Sequence, residues 1–219
     1  RRRNGAEPTV WVEHSPEHCF LIPELAAMGE FEVVVAHVVR DGRAVFGSFR
    51  NLGWGPWSAE RSAITWCSWN NAVEHGVRQA GVHSTLIRYE DLVMGRATVE
   101  GLARSLGISE PLAISGETSL HLPHFTEEQH SLVGGPPDVG RVSAWRNALS
   151  QQDVSGFEFF AQASLRRFGY DLVNPMPPQP RRSLRAYGRL RDLWKLFGSL
   201  LQRRFIERRF MLRSERHGH

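Results

Sequence analysis

The amino-acid sequence predicts an α/β fold in which helices flank a parallel β-sheet. Two apolar, β-branched runs, residues 31–39 and 84–88, have the composition of strands that are covered on both faces. A long amphipathic helix is predicted between them, over residues 58–79. Because strand, helix and strand alternate along the chain, a parallel pair joined by a crossover helix is the expected arrangement.

Further helices are predicted from apolar periodicity and from capping signals. Pro16 follows Ser15 at one helix start, Gly107 follows one helix end, and Asp153 is the predicted cap of a later helix. Residues 116–140 are predicted to form a long loop rich in Gly, Pro and His. Four side chains of the central helix are predicted to face the core: Ile64, Trp66, Trp69 and Val73. The predicted helices span residues 19–28, 43–51, 58–79, 97–106 and 153–168.

Charge divides the chain into two parts. The whole chain has 27 Lys/Arg and 23 Asp/Glu, a formal net charge of +4. Twelve of the basic and three of the acidic residues lie after residue 175, so that part carries +9 and the preceding part −5. We therefore expect an acidic folded body over residues 1–174, a Pro-rich linker over 175–180 and a basic helical tail over 181–219.

Composition disfavours several classes of protein. No apolar run approaches the roughly eighteen residues that span a membrane. The acidic body argues against a nucleic-acid-binding domain, which carries positive charge on its folded face. Cys19 and Cys67 cannot build a disulfide framework and favour a reducing compartment, so a cytoplasmic protein is expected. His14, His18 and Cys19 lack the further ligands that a metal site needs, so no metal is expected.

The strongest chemical signal lies where the first predicted strand ends. Arg40 follows that strand, Asp41-Gly42 forms the turn, and Ser48 comes eight residues after Arg40 on the next helix. Ligands of open α/β sheets bind at this carboxyl edge, where a helix N-terminus offers N–H groups to an anion. A guanidinium can bind a phosphate through two hydrogen bonds, and a hydroxyl can add a third. A phosphate site and an Arg–Asp pair that closes the turn both fit this pattern.

A second signal lies where the second predicted strand ends. Tyr89 is followed there by Glu90 and Asp91. An aromatic ring can stack on a nucleobase, whereas the carboxylates can cap the following turn or pair with arginines. Taken alone, this cluster favours a structural role over a binding role.

Together, these motifs resemble those of sulfotransferases that use 3′-phosphoadenosine 5′-phosphosulfate (PAPS). In that family an Arg-Asp-(Gly/Pro)-Arg motif is followed by a serine eight residues after its first arginine, as in residues 40–43 and Ser48. Further matches follow in the family's order at Trp66, Trp69 and residues 89–92, 106–108, 141–146 and 169–170. The resemblance covers residues 10–172 and is closest to the tyrosylprotein and bacterial sulfotransferases.

The resemblance implies a P-loop-NTPase-like parallel sheet and PAPS as co-substrate, without a metal. It implies that Arg40 and Ser48 bind the 3′-phosphate and that Tyr89 contacts the adenine. Arg141, on the long loop, would close over the nucleotide phosphates. His14 stands where relatives have a lysine near the transferring sulfuryl group, so the implied catalytic residue is His14, acting as a cation or an acid.

One part of the family's pattern is missing from the sequence. The Gly-, Ser- and Thr-rich loop that cradles the 5′-phosphosulfate has no counterpart, so we expect an N-terminally incomplete domain with a partial sheet. Two functions are therefore considered. The first is sulfuryl transfer from PAPS to a hydroxyl or amine acceptor. The second is non-catalytic nucleotide binding or protein interaction on a degenerate scaffold. A kinase is disfavoured because no Gly-Lys-(Ser/Thr) motif occurs.

The basic tail combines arginines with apolar residues at helical spacing. Its apolar positions are Leu190, Leu193, Trp194, Phe197, Leu201 and Phe205. A helix of this kind can lie on an anionic membrane surface, dock on a partner, or fold back on the body or on a second subunit of a homo-oligomer. The sequence leaves these alternatives open.

Overall fold

Two parallel strands form the sheet of the described part of the chain. β1 (Val34–Val39) pairs with β2 (His83–Arg88), with Val34 opposite His83 and Val39 opposite Arg88. The computed structural model describes residues 10–50, 52, 55–108 and 138–195. Within these ranges the protein is a mixed α/β structure in which helices flank the two-stranded sheet.

The predicted helices are present in their predicted order, and three further short helices that were not predicted lie among them in the described ranges. The first helix along the chain is a 3₁₀ helix (Pro16–Phe20). The last, α9, is the described part of a helix that begins at residue 182 and continues to residue 195. The helices between them are α1 (Ile22–Ala27), α2 (Gly42–Phe49), α3 (Ala59–Ala80), α4 (Tyr89–Val93), α5 (Val99–Ser105), α6 (Gly140–Ser143), α7 (Trp145–Ala148) and α8 (Gln151–Arg167).

Each end of the crossover helix α3 lies one residue beyond its predicted position, since the prediction was residues 58–79. Ser58 caps its first turn, because the Ser58 hydroxyl accepts a hydrogen bond from the Arg61 N–H. It ends at Gly81, whose left-handed φ of 65° suits a residue without a β-carbon. The 3₁₀ helix, α1, α2 and α8 all pack against α3, which therefore organises the described body.

A hydrophobic core lies between the sheet, α3 and α8. Trp66 is buried in it as predicted, and its ring lies 6.1 Å from that of the fully buried Phe157. The prediction for Ile64 is wrong, because 51% of that residue is exposed. The buried face of α3 passes through Ala63 and Trp66. Ile64 follows Ala63 and is therefore rotated by about 100° away from that face. Other core residues are Val39, Phe46, Trp145, Leu165, Phe168 and Tyr170.

The first strand is shorter and less covered than its sequence predicts. β1 starts at Val34, and Phe31 before it is 67% exposed. His37 is buried against the Phe168 ring, whereas Val38, which points to the opposite face, is 48% exposed. The prediction that both faces are covered is therefore wrong for the described residues, because the core forms on one side of β1 only.

The start of α8 also differs from the prediction. Ser150, not Asp153, is the N-cap. The Ser150 hydroxyl accepts the Asp153 N–H, and the Asp153 carboxylate accepts the Ser150 N–H. The two residues thus form a capping box, in which the acidic residue lies three positions inside the cap.

The tail helix α9 folds back on the body. The Asp192 carboxylate accepts hydrogen bonds from the backbone N–H groups of Trp57 and Ser58 at the start of α3, at 2.7 and 3.1 Å. The Lys195 ammonium donates to three backbone carbonyls that follow α2, those of Arg50, Leu52 and Gly55. Two side chains of α9 thus satisfy backbone polar groups in the connection between α2 and α3.

Most of the loop predicted over residues 116–140 lies outside the described residues, of which only 138–140 belong to it. Among the described helices none combines the length and the apolar character needed to cross a membrane.

Candidate functional site

The parallel pairing of β1 and β2 brings Arg40 and Tyr89 together. Each residue directly follows the last residue of its strand, and these last residues, Val39 and Arg88, are paired. The Arg40 guanidinium carbon lies 4.8 Å from the centre of the Tyr89 ring, within the range of a cation–π interaction. Two residues that were predicted to bind the same ligand are thus neighbours at the carboxyl edge of the sheet.

Arg40 is held in position with part of its hydrogen-bonding capacity unused. Its Nη2 donates to the backbone carbonyl of Arg141 at 3.2 Å. The Trp66 indole N–H donates to the Arg40 carbonyl at 3.1 Å and so fixes the strand end. The Arg40 Nε is buried and has no hydrogen-bond partner among the described residues. Since a guanidinium has five N–H donors, this side chain can still bind an anion.

The second arginine of the motif is structural. Arg43 is only 2% exposed, and its guanidinium binds Asp41 through Nε at 3.0 Å and Nη2 at 2.8 Å. Its Nη1 contacts the fully buried Glu158 at 2.5 Å. Burial by itself lowers the pKa of Arg43, but the Asp41 and Glu158 carboxylates outweigh it and raise that pKa. The Arg–Asp pair that closes the turn is thus formed by Arg43, and no carboxylate of the described residues pairs with Arg40.

Glu90 connects the ends of the two strands. It is buried, and its Oε1 accepts the Asp41 N–H at 2.9 Å while its Oε2 accepts the Tyr170 hydroxyl at 2.8 Å. Burial and the Glu90 charge raise the pKa of Tyr170 above its usual range, so that phenol stays protonated. Asp91 pairs with Arg88 and Arg96, whose hydrogen bonds and charges lower its pKa. Both carboxylates therefore have the structural roles that the sequence allowed.

The glycine of the motif is required by packing. Gly42 is the first residue of α2, a position where proline is common. A β-carbon at Gly42 would lie 2.5 Å from Phe157 Cζ and 2.8 Å from Trp66 Cδ2. Such distances are far below van der Waals contact, so the core leaves no room for a side chain here.

Ser48 and Arg141 lie on two elements that contact each other. Ser48 is exposed on α2, and no described residue is a hydrogen-bond partner of its hydroxyl. Arg141 is exposed on α6, a single helical turn that packs against α2. Its predicted location on a loop is wrong, because residues 140–143 form a helical turn, before which the Asp138 carboxylate accepts the Gly140 N–H.

His14 lies in a segment without regular secondary structure before the 3₁₀ helix and is exposed. The neighbouring Glu13 carboxylate accepts hydrogen bonds from Ser15 and from the His14 N–H, which lower its pKa to about 2. His14, Arg40 and Tyr89 are all described residues, and no hydrogen bond, ion pair or ring contact joins His14 to either of the other two. The catalytic role of His14 stays a prediction.

Two further observations concern the surroundings of the site. Within the described ranges no three His, Cys, Asp or Glu side chains are close enough to hold a metal ion. Two recesses in this part of the chain lie away from Arg40. One separates α8 from α9 beside Phe160 and Tyr187, and the other lies beside His37 on the α3 side of the sheet.

Two contacts that organise the site were not predicted. The Trp66 indole was expected to pack in the core, and its hydrogen bond to the Arg40 carbonyl was not foreseen. The bond between Tyr170 and Glu90 spans 80 residues of sequence. In the sequence, the only indication of this bond is the Gly-Tyr pair at residues 169–170, which matches the last motif of the sulfotransferase family.

No protein-family model, no curated protein and no solved structure matches this chain.

Proposed function

We propose that the chain is a sulfotransferase that binds the 3′-phosphate of PAPS at Arg40 and transfers the sulfuryl group to a hydroxyl or amine acceptor. One observation carries the proposal. Among the described residues Arg40 has no carboxylate partner, although Asp41, Glu90 and Asp91 lie in the same cluster and are all engaged elsewhere. An arginine that the fold leaves unpaired at the carboxyl edge of a parallel sheet suits an anionic ligand.

The neighbouring groups suit a nucleotide in particular. Tyr89 offers an aromatic face to the adenine beside the cation that would bind its ribose phosphate. Ser48 supplies a hydroxyl that no described residue binds, on the helix that starts next to Arg40, and Arg141 lies on the turn packed against that helix. A P-loop-NTPase-like sheet is part of this proposal, because the parallel pair and its crossover helix agree with it.

In the proposed reaction the acceptor oxygen or nitrogen attacks the sulfur of PAPS in line. The bond between sulfur and the bridging phosphate oxygen breaks as the new bond between sulfur and the acceptor atom forms, and adenosine 3′,5′-bisphosphate leaves. The acceptor proton passes to a base. A protonated His14 would neutralise charge on the bridging oxygen, while Arg40 holds the bisphosphate in position.

A second candidate function is nucleotide binding without transfer. It is favoured by the state of the acid–base groups around Arg40. Asp41, Glu90 and Asp91 all accept hydrogen bonds from protein partners, so none of them is free to take an acceptor proton.

The test is calorimetric titration with adenosine 3′,5′-bisphosphate and with adenosine 5′-monophosphate, which lacks the 3′-phosphate. Arg40→Gln should weaken binding of the bisphosphate by about 10- to 100-fold, the value of a charge-assisted hydrogen bond, and leave the monophosphate unaffected. Arg146→Gln is the matched control, because Arg146 is an exposed arginine that stacks on Trp145 and was assigned no ligand.

The outcomes separate the candidates. Equal affinity of the folded wild-type chain for the two nucleotides would overturn both functions, since both place the 3′-phosphate on Arg40. Bisphosphate binding that depends on Arg40, accompanied by sulfate transfer from radiolabelled PAPS to a panel of hydroxyl and amine acceptors, would support the sulfotransferase. The same binding without transfer to any acceptor would favour the non-catalytic function.

A further inference from the structure

The tail helix α9 packs on the body through a polar stripe. The inward positions recur every three or four residues, as one face of a helix requires. Arg185 pairs with Glu60 at 2.8 Å, and Asp192 and Lys195 bind backbone groups at the ends of α3 and α2. Gly188 lies so close to the body that a β-carbon there would be 2.8 Å from Ser58 Cβ. These contacts fix the rotation of α9 about its own axis.

The opposite face of α9 is apolar and open to solvent. Leu190, Leu193 and Trp194 are 65%, 59% and 75% exposed. Their spacing places all three on one side of the helix. A surface helix ordinarily turns its apolar stripe towards the core, and here the arrangement is reversed. Because the inward contacts fix the rotation, the apolar side chains cannot reach the body without breaking those contacts.

Positive charge borders this apolar face on both sides. At about 100° per residue, Arg182 and Arg189 lie along one edge and Arg191 along the other. Asp192 is the only acidic residue between positions 181 and 195, and it is buried against the body. Glu60 beneath the helix is neutralised by Arg185 and Arg189. The outer surface of α9 therefore presents arginines and apolar groups without a carboxylate.

We propose that the outer face of α9 docks on a membrane surface rich in anionic phospholipids. Leu190, Leu193 and Trp194 would enter the boundary between headgroups and acyl chains, where helices of this type bury their apolar face by about 5–10 Å. Of the bordering arginines, Arg182 and Arg191 would bind lipid phosphates, each favouring binding by about fivefold. The net charge of +9 after residue 175 adds to this attraction.

Charge decides between a membrane and a second copy of the chain as the occupant of this face. In a symmetric dimer built on α9, the arginine borders of one helix would face those of the other. Like charges brought together at an interface oppose association. An anionic lipid surface instead complements the arginines and buries the same apolar side chains.

The proposal is tested by flotation of the full chain with phosphatidylcholine vesicles that contain either no phosphatidylserine or about 30% of it. We expect binding to the anionic vesicles only, and we expect Trp194→Ala to weaken it by about tenfold, the value of burying one large apolar side chain. Trp11→Ala is the matched control, because Trp11 is 76% exposed, nearly the same as Trp194, and lies outside α9. It should bind like the wild type.

A second variant tests the electrostatic part. Arg182→Gln removes an exposed border charge and should reduce binding about fivefold, and raising the salt concentration should weaken binding further. Circular dichroism establishes that each variant is folded.

Three results would overturn the proposal. The first is a folded wild-type chain that does not float with anionic vesicles. The second is an equal loss of binding in Trp194→Ala and Trp11→Ala. The third is self-association of the wild-type chain, measured by sedimentation, that Trp194→Ala abolishes, because it would assign the face to a second copy.

Discussion

Arg43 and Glu158, 115 residues apart in the sequence, form an ion pair whose side chains are 3% and 0% exposed. This pair joins the turn after β1 to the middle of α8. Glu158 also accepts the backbone N–H groups of Val173 and Asn174, and Arg43 donates to the Asp171 carbonyl. The pair therefore anchors the segment after α8 as well as the turn that bears Arg40.

Arg43→Met should destabilise the protein strongly. The substitution leaves the Asp41 and Glu158 carboxylates buried without their cation, and breaking a buried ion pair in this way costs about 3–5 kcal/mol. The free energy of unfolding in urea measures the loss. The control is Arg96→Met, which removes an exposed arginine from Asp91 and should cost less than about 1 kcal/mol. Similar losses in both variants would contradict the anchoring role of Arg43.

Two glycine substitutions in α2 should change stability in opposite directions. Gly42→Ala forces a methyl group against Phe157 and Trp66, and overpacking of this kind costs about 1–3 kcal/mol. Gly47→Ala places its methyl group 3.6 Å from Trp145 Cβ, an ordinary contact, and should gain up to about 1 kcal/mol of helix propensity. Thermal unfolding of the two variants compares them directly. A stable Gly42→Ala variant would show that the core yields at this point.

Much of the fold could be predicted from local signals. The two strands and the crossover helix over residues 58–79 follow from β-branched runs and helical periodicity, to within a few residues at each end. The exposure of Ile64 and Val38 could not be predicted in this way, because periodicity shows that a face is apolar but not which neighbours cover it. The orientation of α9 was beyond prediction for the same reason, since its polar stripe binds the body.

The candidate site could be predicted in part. The motif spacing placed Arg40 and Tyr89 at strand ends, and parallel pairing then made them neighbours. The sequence did not reveal which arginine of the motif pairs with Asp41. That choice depends on Glu158, which is distant in sequence and supplies the second carboxylate for Arg43.

Tyr170→Phe should lower stability at neutral pH by about 1–3 kcal/mol, because the buried Glu90 carboxylate loses a donor. The pKa of Tyr170 is raised in the folded state, so its contribution is complete below about pH 10 and is lost as the pH rises further. The difference between wild type and variant should therefore shrink above pH 10. Urea unfolding at pH 7, 9 and 11 measures it, and a constant difference would contradict the assignment.

Acid should weaken the attachment of α9 to the body, because the Glu60 carboxylate that binds two arginines of α9 becomes protonated. Hydrogen bonds from Arg185 and then Arg189 lower the pKa of Glu60 from 4.5 to about 2. A lowered pKa contributes stability that is complete above pH 4.5 and is lost as the pH falls towards 2. Glu60→Gln lacks this contribution, so the stability difference between the two proteins should narrow over that interval.

Urea unfolding of both proteins at several pH values between 2 and 5 isolates the Glu60 contribution, because the other carboxylates titrate equally in each. A difference that stays constant with pH would mean that the two arginines do not hold Glu60 ionised.

The contacts of Asp192 and Lys195 also bear on the stage of folding at which α9 docks on the body. These side chains bind backbone groups that lie 135 and 145 residues earlier in the chain. During synthesis on a ribosome the start of α3 and the carbonyls after α2 emerge long before their partners, so water must satisfy them first. The final docking of α9 closes a loop of more than a hundred residues, and contacts of such long range form late in folding.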